Sequence, residues 1–75
     1  MPRLKPINAR KLIKKLKAAG FAETHQRGSH LYLVNKMGGR VVTVPVHSVK
    51  DIPIGTLHDI VINQAGLSVS EFDNL

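Results

Sequence analysis

Apolar residues recur at Ala9, Leu12, Ile13, Leu16 and Ala19, a three-and-four spacing that predicts an amphipathic helix over residues 8–19. Asn8 offers an N-cap oxygen and Gly20 a C′ position, so both ends of this helix are marked. At about 100° per residue, Arg10, Lys11, Lys14, Lys15 and Lys17 fall opposite the apolar stripe and form a cationic face. Beyond Gly20 the period changes. Phe21 to Arg27 reads as a first strand, Gly28-Ser29 as a turn or bulge, and His30 to Asn35 as a second strand. Lys36-Met37-Gly38-Gly39 has hairpin chemistry, and the β-branched run from Arg40 to Val44 returns as a third strand that Pro45 stops. After a loop through His47, a second helix is predicted from Pro53 or Ile54 to Ala65. Asp51 is its candidate cap, Leu57, Ile60 and Val61 its apolar stripe, and Gly66 its stop. Ser68 and Glu71 have capping-box spacing, and Leu67 with Phe72 that of a hydrophobic staple, so a last helical turn begins at Ser68.

The order α-β-β-β-α predicts an α+β fold in which a three-stranded antiparallel meander carries both helices on one face. Side chains alternate along a strand, so Leu31 and Leu33 share one face while His30, Tyr32 and Val34 share the other. With the helices on the leucine face, His30 and Tyr32 lie on the open one. A bulge at Gly28 would shift this phase.

Charge sharpens the picture. All eleven Lys and Arg lie in the first 50 residues with Glu23 the one acid, leaving +10. The other 25 residues carry four acids and no Lys or Arg, giving −4. Segregated positive charge fits a polyanionic partner better than a simple solubility device does. A chain of 75 residues is read as one domain, spanning 1–75 with a core of about 7–72. Without cysteine it has neither a disulfide framework nor thiolate zinc ligands. Cations interrupt the apolar residues of the N-terminal segment, so no secretory signal is expected there, and no uninterrupted apolar run reaches membrane-span length. A cytoplasmic protein without a membrane role is the expectation.

Candidate chemistry centres on Gly28-Ser29-His30 at the head of the second strand. Imidazole, with an unperturbed pKa of about 6.5, gives or takes a proton at neutral pH. RNA carries its own nucleophile: a base can release the 2′-hydroxyl to attack phosphorus, and an acid can protonate the departing 5′-oxygen, without metal. Lys11, Lys14, Lys15, Arg27, Arg40 and the Ser29 hydroxyl are candidate phosphate contacts, and Tyr32 is a candidate RNA-stacking ring. Each choice has a plainer counterpart. A histidine on a strand also serves as a hydrogen-bonded structural group, Gly28 and Ser29 as turn formers, Tyr32 as core rather than a base-stacking ring, and His47 as a helix-docking or capping group. One histidine supplies one half of an acid–base pair, and the sequence does not choose among His47, Tyr32 and a nearby Lys for the other. His25 and His58 have no partner at ligand spacing, and no histidine pair has the i, i+4 spacing of a helical metal site, so neither metal nor cofactor is expected. Ser29 and His30, adjacent in an extended strand, point to opposite faces and do not make a triad.

Read together, the first helix with Ala19-Gly20-Phe21, then Gly28-Ser29-His30 with Tyr32, Val44-Pro45-Val46-His47, Gly55-Thr56-Leu57 and Gln64-Ala65-Gly66-Leu67-Ser68 resemble the HicA family of bacterial toxins. The resemblance covers nearly the whole chain. It implies a double-stranded-RNA-binding-domain-like fold, mRNA cleavage with a catalytic role for His30, and neutralisation by a HicB-type antitoxin. Ile54 and His58 stand where cations often flank the Gly55-Thr56-Leu57 motif in that family, which shifts expected RNA contact toward the first helix, Arg27 and Arg40. Two other functions suit a basic domain of this kind: a non-catalytic double-stranded-RNA or nucleic-acid-binding module, and a basic surface serving only an acidic protein.

Overall fold

The computed structural model describes residues 3–46 and 50–75. Helix α1 spans Ala9–Ala18, and the Asn8 side chain accepts the Lys11 N–H as its N-cap. It ends at Ala19, with Gly20 at φ +101°, a backbone state that glycine adopts at little cost. The strands are β1 (Phe21–Arg27), β2 (His30–Asn35) and β3 (Arg40–Pro45), antiparallel in the order β1-β2-β3. Asn35 closes the β2–β3 hairpin. Its side-chain oxygen accepts the Met37 N–H at 3.0 Å and its carbonyl accepts the Gly39 N–H at 2.7 Å, with Gly39 at φ +68°.

The second helix departs from expectation in two ways. Helix α2 (Ile54–His58) runs into a π-helical segment, Asp59–Gln64, in which the Ala65 N–H reaches the Ile60 carbonyl at 2.8 Å. Its N-cap is Pro53, with no side-chain bond, rather than Asp51. Asp51 instead forms a bridge with Asn8, and the Ile52 N–H donates to the Ile7 carbonyl at 2.9 Å. That pairing ties the entry to α2 against the entry to α1. Helix α3 (Val69–Asp73) carries the expected capping box: the Ser68 hydroxyl accepts the Glu71 N–H and the Glu71 carboxylate accepts the Ser68 N–H.

One apolar cluster joins these elements. Leu12 and Leu16 of α1, Leu33 of β2, Val42 and Val44 of β3, and Leu57, Ile60 and Val61 of the second helix are fully buried, with Phe21, Leu31 and Phe72 nearly so. Burying each large aliphatic side chain is worth about 1.5–3 kcal/mol relative to exposing it. The sheet residues of this cluster share one face, so the helices cover that face and leave the other open. The fold is the α-β-β-β-α arrangement of the double-stranded-RNA-binding-domain type.

The register across β1 and β2 holds an irregularity, and it lies outside Gly28-Ser29, which the sequence marks as a turn or bulge. Glu23 pairs with Leu33 and His25 with Tyr32, which leaves Thr24 as an extra residue. The bulge is therefore at Thr24, while Gly28-Ser29 forms a two-residue turn between paired Arg27 and His30. Because the bulge inserts one residue, Phe21 and Glu23 face the helices, whereas His25 and Arg27 share the open face with His30 and Tyr32.

Candidate functional site on the open sheet face

Three cross-strand rows cross the open face: Arg27–His30–Pro45, His25–Tyr32–Thr43 and Ala22–Val34–Val41. His30 begins β2 and is exposed, with Leu31 buried beside it and Tyr32 half-buried. The turn that places it is braced on both sides. Gly28 takes φ +57°, its carbonyl accepts the Gln26 side-chain amide at 3.0 Å, and the Ser29 carbonyl accepts the Val46 N–H at 2.7 Å. His30 thus stands at one end of the sheet on a fixed backbone, with the Arg27 cation opposite it.

Beside it, the His25 and Tyr32 rings stack with centroids 4.5 Å apart and planes inclined by 6°. The Thr24 hydroxyl touches both residues, lying 3.1 Å from His25 Nδ1 and 3.1 Å from the Tyr32 carbonyl. A carbonyl only accepts, so the single hydroxyl proton goes to Tyr32 and the Thr24 oxygen accepts Nδ1–H from His25. Neutral His25 then carries its proton on Nδ1 and keeps its lone pair on Nε2.

The structure gathers Gly28, Ser29, His30, Arg27 and Tyr32 at this end of the sheet. The other cations named from the sequence lie elsewhere. Lys11 and Lys14 are exposed on α1, which packs on the opposite face of the sheet. Lys14 also lines a groove with Arg10, Ile13, Lys17, Glu23 and Val46, and Val46 directly follows Pro45, the cross-strand partner of His30. This groove adds Arg10 to the candidates. The helical spacing had placed Arg10 on the cationic side of α1 without singling it out. Lys17 is ion-paired to Glu23. Lys15 is engaged with α3: its ammonium donates to the Phe72 carbonyl at 3.1 Å and sits 4.9 Å from the centre of the Phe72 ring.

Arg40 opens β3, whereas Pro45 at the other end pairs with His30, a separation of five residues or about 17 Å along the strand. Its guanidinium points to the end of the second helix, 3.5 Å from the carbonyls of Asn63 and Gln64. His47 lies outside the described residues. The Thr24 bulge also brings His25 to the open face, a position that simple alternation along β1 does not give it.

Among the described residues, no three His, Cys, Asp or Glu side chains form a group able to hold a metal ion. None of their helices is long and apolar enough to cross a membrane. Away from the site, the Asp59 carboxyl is held below its ordinary range by hydrogen bonds from Asn63 and then Gln64. The Gln64 side chain also accepts the Thr43 N–H at 2.8 Å and so links the π segment to β3.

The fold and its open face define a basic α+β protein of the double-stranded-RNA-binding-domain type, with an exposed histidine and arginine on the sheet face that the helices leave free. The family model for the HicA toxin of bacterial toxin–antitoxin systems matches residues 9–67, and the chain belongs to that family. It is a toxin of the toxin–antitoxin type, and membership implies an antitoxin partner. Among curated proteins, none matches closely enough to count as a relative.

Proposed function

We propose that this toxin is an endoribonuclease that cleaves mRNA without metal, with His30 transferring a proton at the scissile phosphodiester. The observation that carries this reading is the exposed imidazole at the start of β2, across from Arg27, on the sheet face the helices leave open. Arg27 supplies charge for a phosphate held against His30, and Tyr32, one step along the same face, offers a ring for an unstacked base. Proton transfer by a positioned imidazole contributes about 10²–10⁴ in rate, and stabilisation of the developing phosphorane charge adds to it. Arg10 and Lys14 add cations in the groove on the helix side that Val46 also lines.

In this reading the protein acts in the cytoplasm as one HicA-like domain over 1–75. A HicB-type antitoxin that is acidic and covers His30 blocks cleavage whatever the RNA sequence, and the cations that attract RNA also speed its association. The test is His30→Ala, assayed for RNA cleavage and for RNA binding. Loss of turnover with retained affinity supports the nuclease. Wild-type turnover in the variant removes His30 from the chemistry, and RNA binding by the unaltered chain with no cleavage at all favours a non-catalytic binding module.

A further inference from the structure

We infer that His25 is the second proton-transfer group of the ribonuclease, taking the 2′-hydroxyl proton on Nε2 while the His30 imidazolium protonates the leaving 5′-oxygen. This rests on the nuclease reading above. A single imidazole supplies one half of an acid–base pair, and transesterification uses both halves on opposite sides of phosphorus. The bulge at Thr24 carries His25 to the open face, where His25↔Tyr32 and Arg27↔His30 are successive cross-strand pairs. His25 and His30 are thus diagonal neighbours, a relation with a backbone separation of about 7–8 Å that long side chains can span. A phosphodiester seated between them also faces Arg27.

The ring is prepared for the basic role. Stacking on Tyr32 fixes its plane, and the Thr24 oxygen, having spent its proton on the Tyr32 carbonyl, accepts Nδ1–H. The free lone pair is therefore on Nε2, on the side of the ring away from Thr24. In the step, the 2′-oxygen gives its proton to His25 Nε2 and forms a bond to phosphorus. The bond from phosphorus to the 5′-oxygen breaks, and that oxygen takes the proton from His30. The products are a 2′,3′-cyclic phosphate and a 5′-hydroxyl, with His25 cationic and His30 neutral. Exchange with water restores both.

His25→Phe keeps an aromatic ring for Tyr32 but cannot move a proton, so it separates stacking from catalysis. Single-turnover cleavage of an RNA that the unaltered chain cuts is expected to slow by about 10²–10⁴-fold in His25→Phe and in His25→Ala, with RNA affinity retained. The same RNA with sulfur in place of the bridging 5′-oxygen assigns the roles, because a thiolate, with a pKa of about 8.5 for its thiol, leaves without a proton. It is expected to restore His30→Ala and not His25→Phe. Nitrogen NMR of neutral His25 is expected to show the Nδ1–H form, lost in Thr24→Val and regained in Thr24→Ser. Wild-type cleavage by a folded His25→Phe overturns the inference alone, and rescue of His25→Phe by the sulfur substrate overturns its role as base. Failure of the unaltered chain to cleave RNA overturns the nuclease reading beneath it, and full activity of His30→Ala removes His30 from the chemistry and with it the acid of this pair.

Discussion

At the scale of single residues, two glycines hold opposite ends of the molecule in place. Gly28, at φ +57°, lets Arg27 and His30 face one another across two residues. Gly66, at φ +72°, leaves room for Arg40: a Cβ there would stand 2.5 Å from the Arg40 Cζ. An L side chain in this backbone region costs about 1–2 kcal/mol before any clash. Gly66→Ala is therefore expected to destabilise by about that much, with a small further cost as the flexible end of Arg40 swings off the carbonyls of Asn63 and Gln64. Adding Arg40→Ala removes the clash and is expected to recover part of the loss. A double-mutant cycle in urea measures the coupling, and strict additivity would show that the two residues do not meet. Arg40 thus has a structural task at the end of the second helix, away from His30.

At the scale of elements, the caps hold the helices and set their response to acid. The Glu71 carboxyl is held below its ordinary range by the Ser68 backbone N–H and then the Ser68 side chain, and Asp59 is held low by Asn63 and Gln64. A carboxyl whose folded pKa is lowered contributes stability above its unfolded pKa, and that contribution is lost as pH falls through the folded value. Stability is therefore expected to decline below about pH 4, where unpaired carboxyls titrate. Glu71→Gln is expected to flatten that decline. Urea midpoints between neutral pH and acid check it, and an unchanged acid limb would remove Glu71 as a contributor. Ser68→Ala is expected to cost about 0.5–2 kcal/mol through loss of the cap.

Most elements were legible because their signals are local: the Asn8 cap, Gly20, the paired strand runs and the Ser68–Glu71 box. The Thr24 bulge was legible only in combination. Phe21 belongs to the core and Arg27 pairs with His30 across a two-residue turn, yet the two have the same parity, so one residue between them must be extra. That conflict calls for one extra residue without locating it; the structure puts it at Thr24, which sets His25 opposite Tyr32 and diagonal to His30. Asp51 was misread because its bridge to Asn8 is a long-range contact, and the tasks of Lys15 and Arg40 were hidden because their carbonyl partners come from distant elements.

At the scale of the whole molecule, the cations that the charge pattern grouped together are divided by the fold. Arg27 lies beside His30 on the open sheet face, Lys11 and Lys14 are exposed on the helix side, and Lys15 holds α3. Replacing Lys11 and Lys14 by Gln is expected to leave stability unchanged and weaken RNA binding. The slope of log affinity against log salt should flatten by about 0.7–0.9 for each phosphate that the variant no longer neutralises. Lys15→Gln is expected to lower stability instead, read as a shifted urea midpoint. An unaltered salt slope in the Lys11, Lys14 variant would show that those cations are merely solvated. The central claim, phosphodiester cleavage by an imidazole rather than by metal-activated water, is tested most directly by incubating the protein with RNA in excess chelator and identifying the ends. The account predicts undiminished cleavage to 2′,3′-cyclic phosphate and 5′-hydroxyl ends, absent in His30→Ala. Cleavage that stops with chelator and returns with magnesium, or that leaves 5′-phosphate ends, would contradict it.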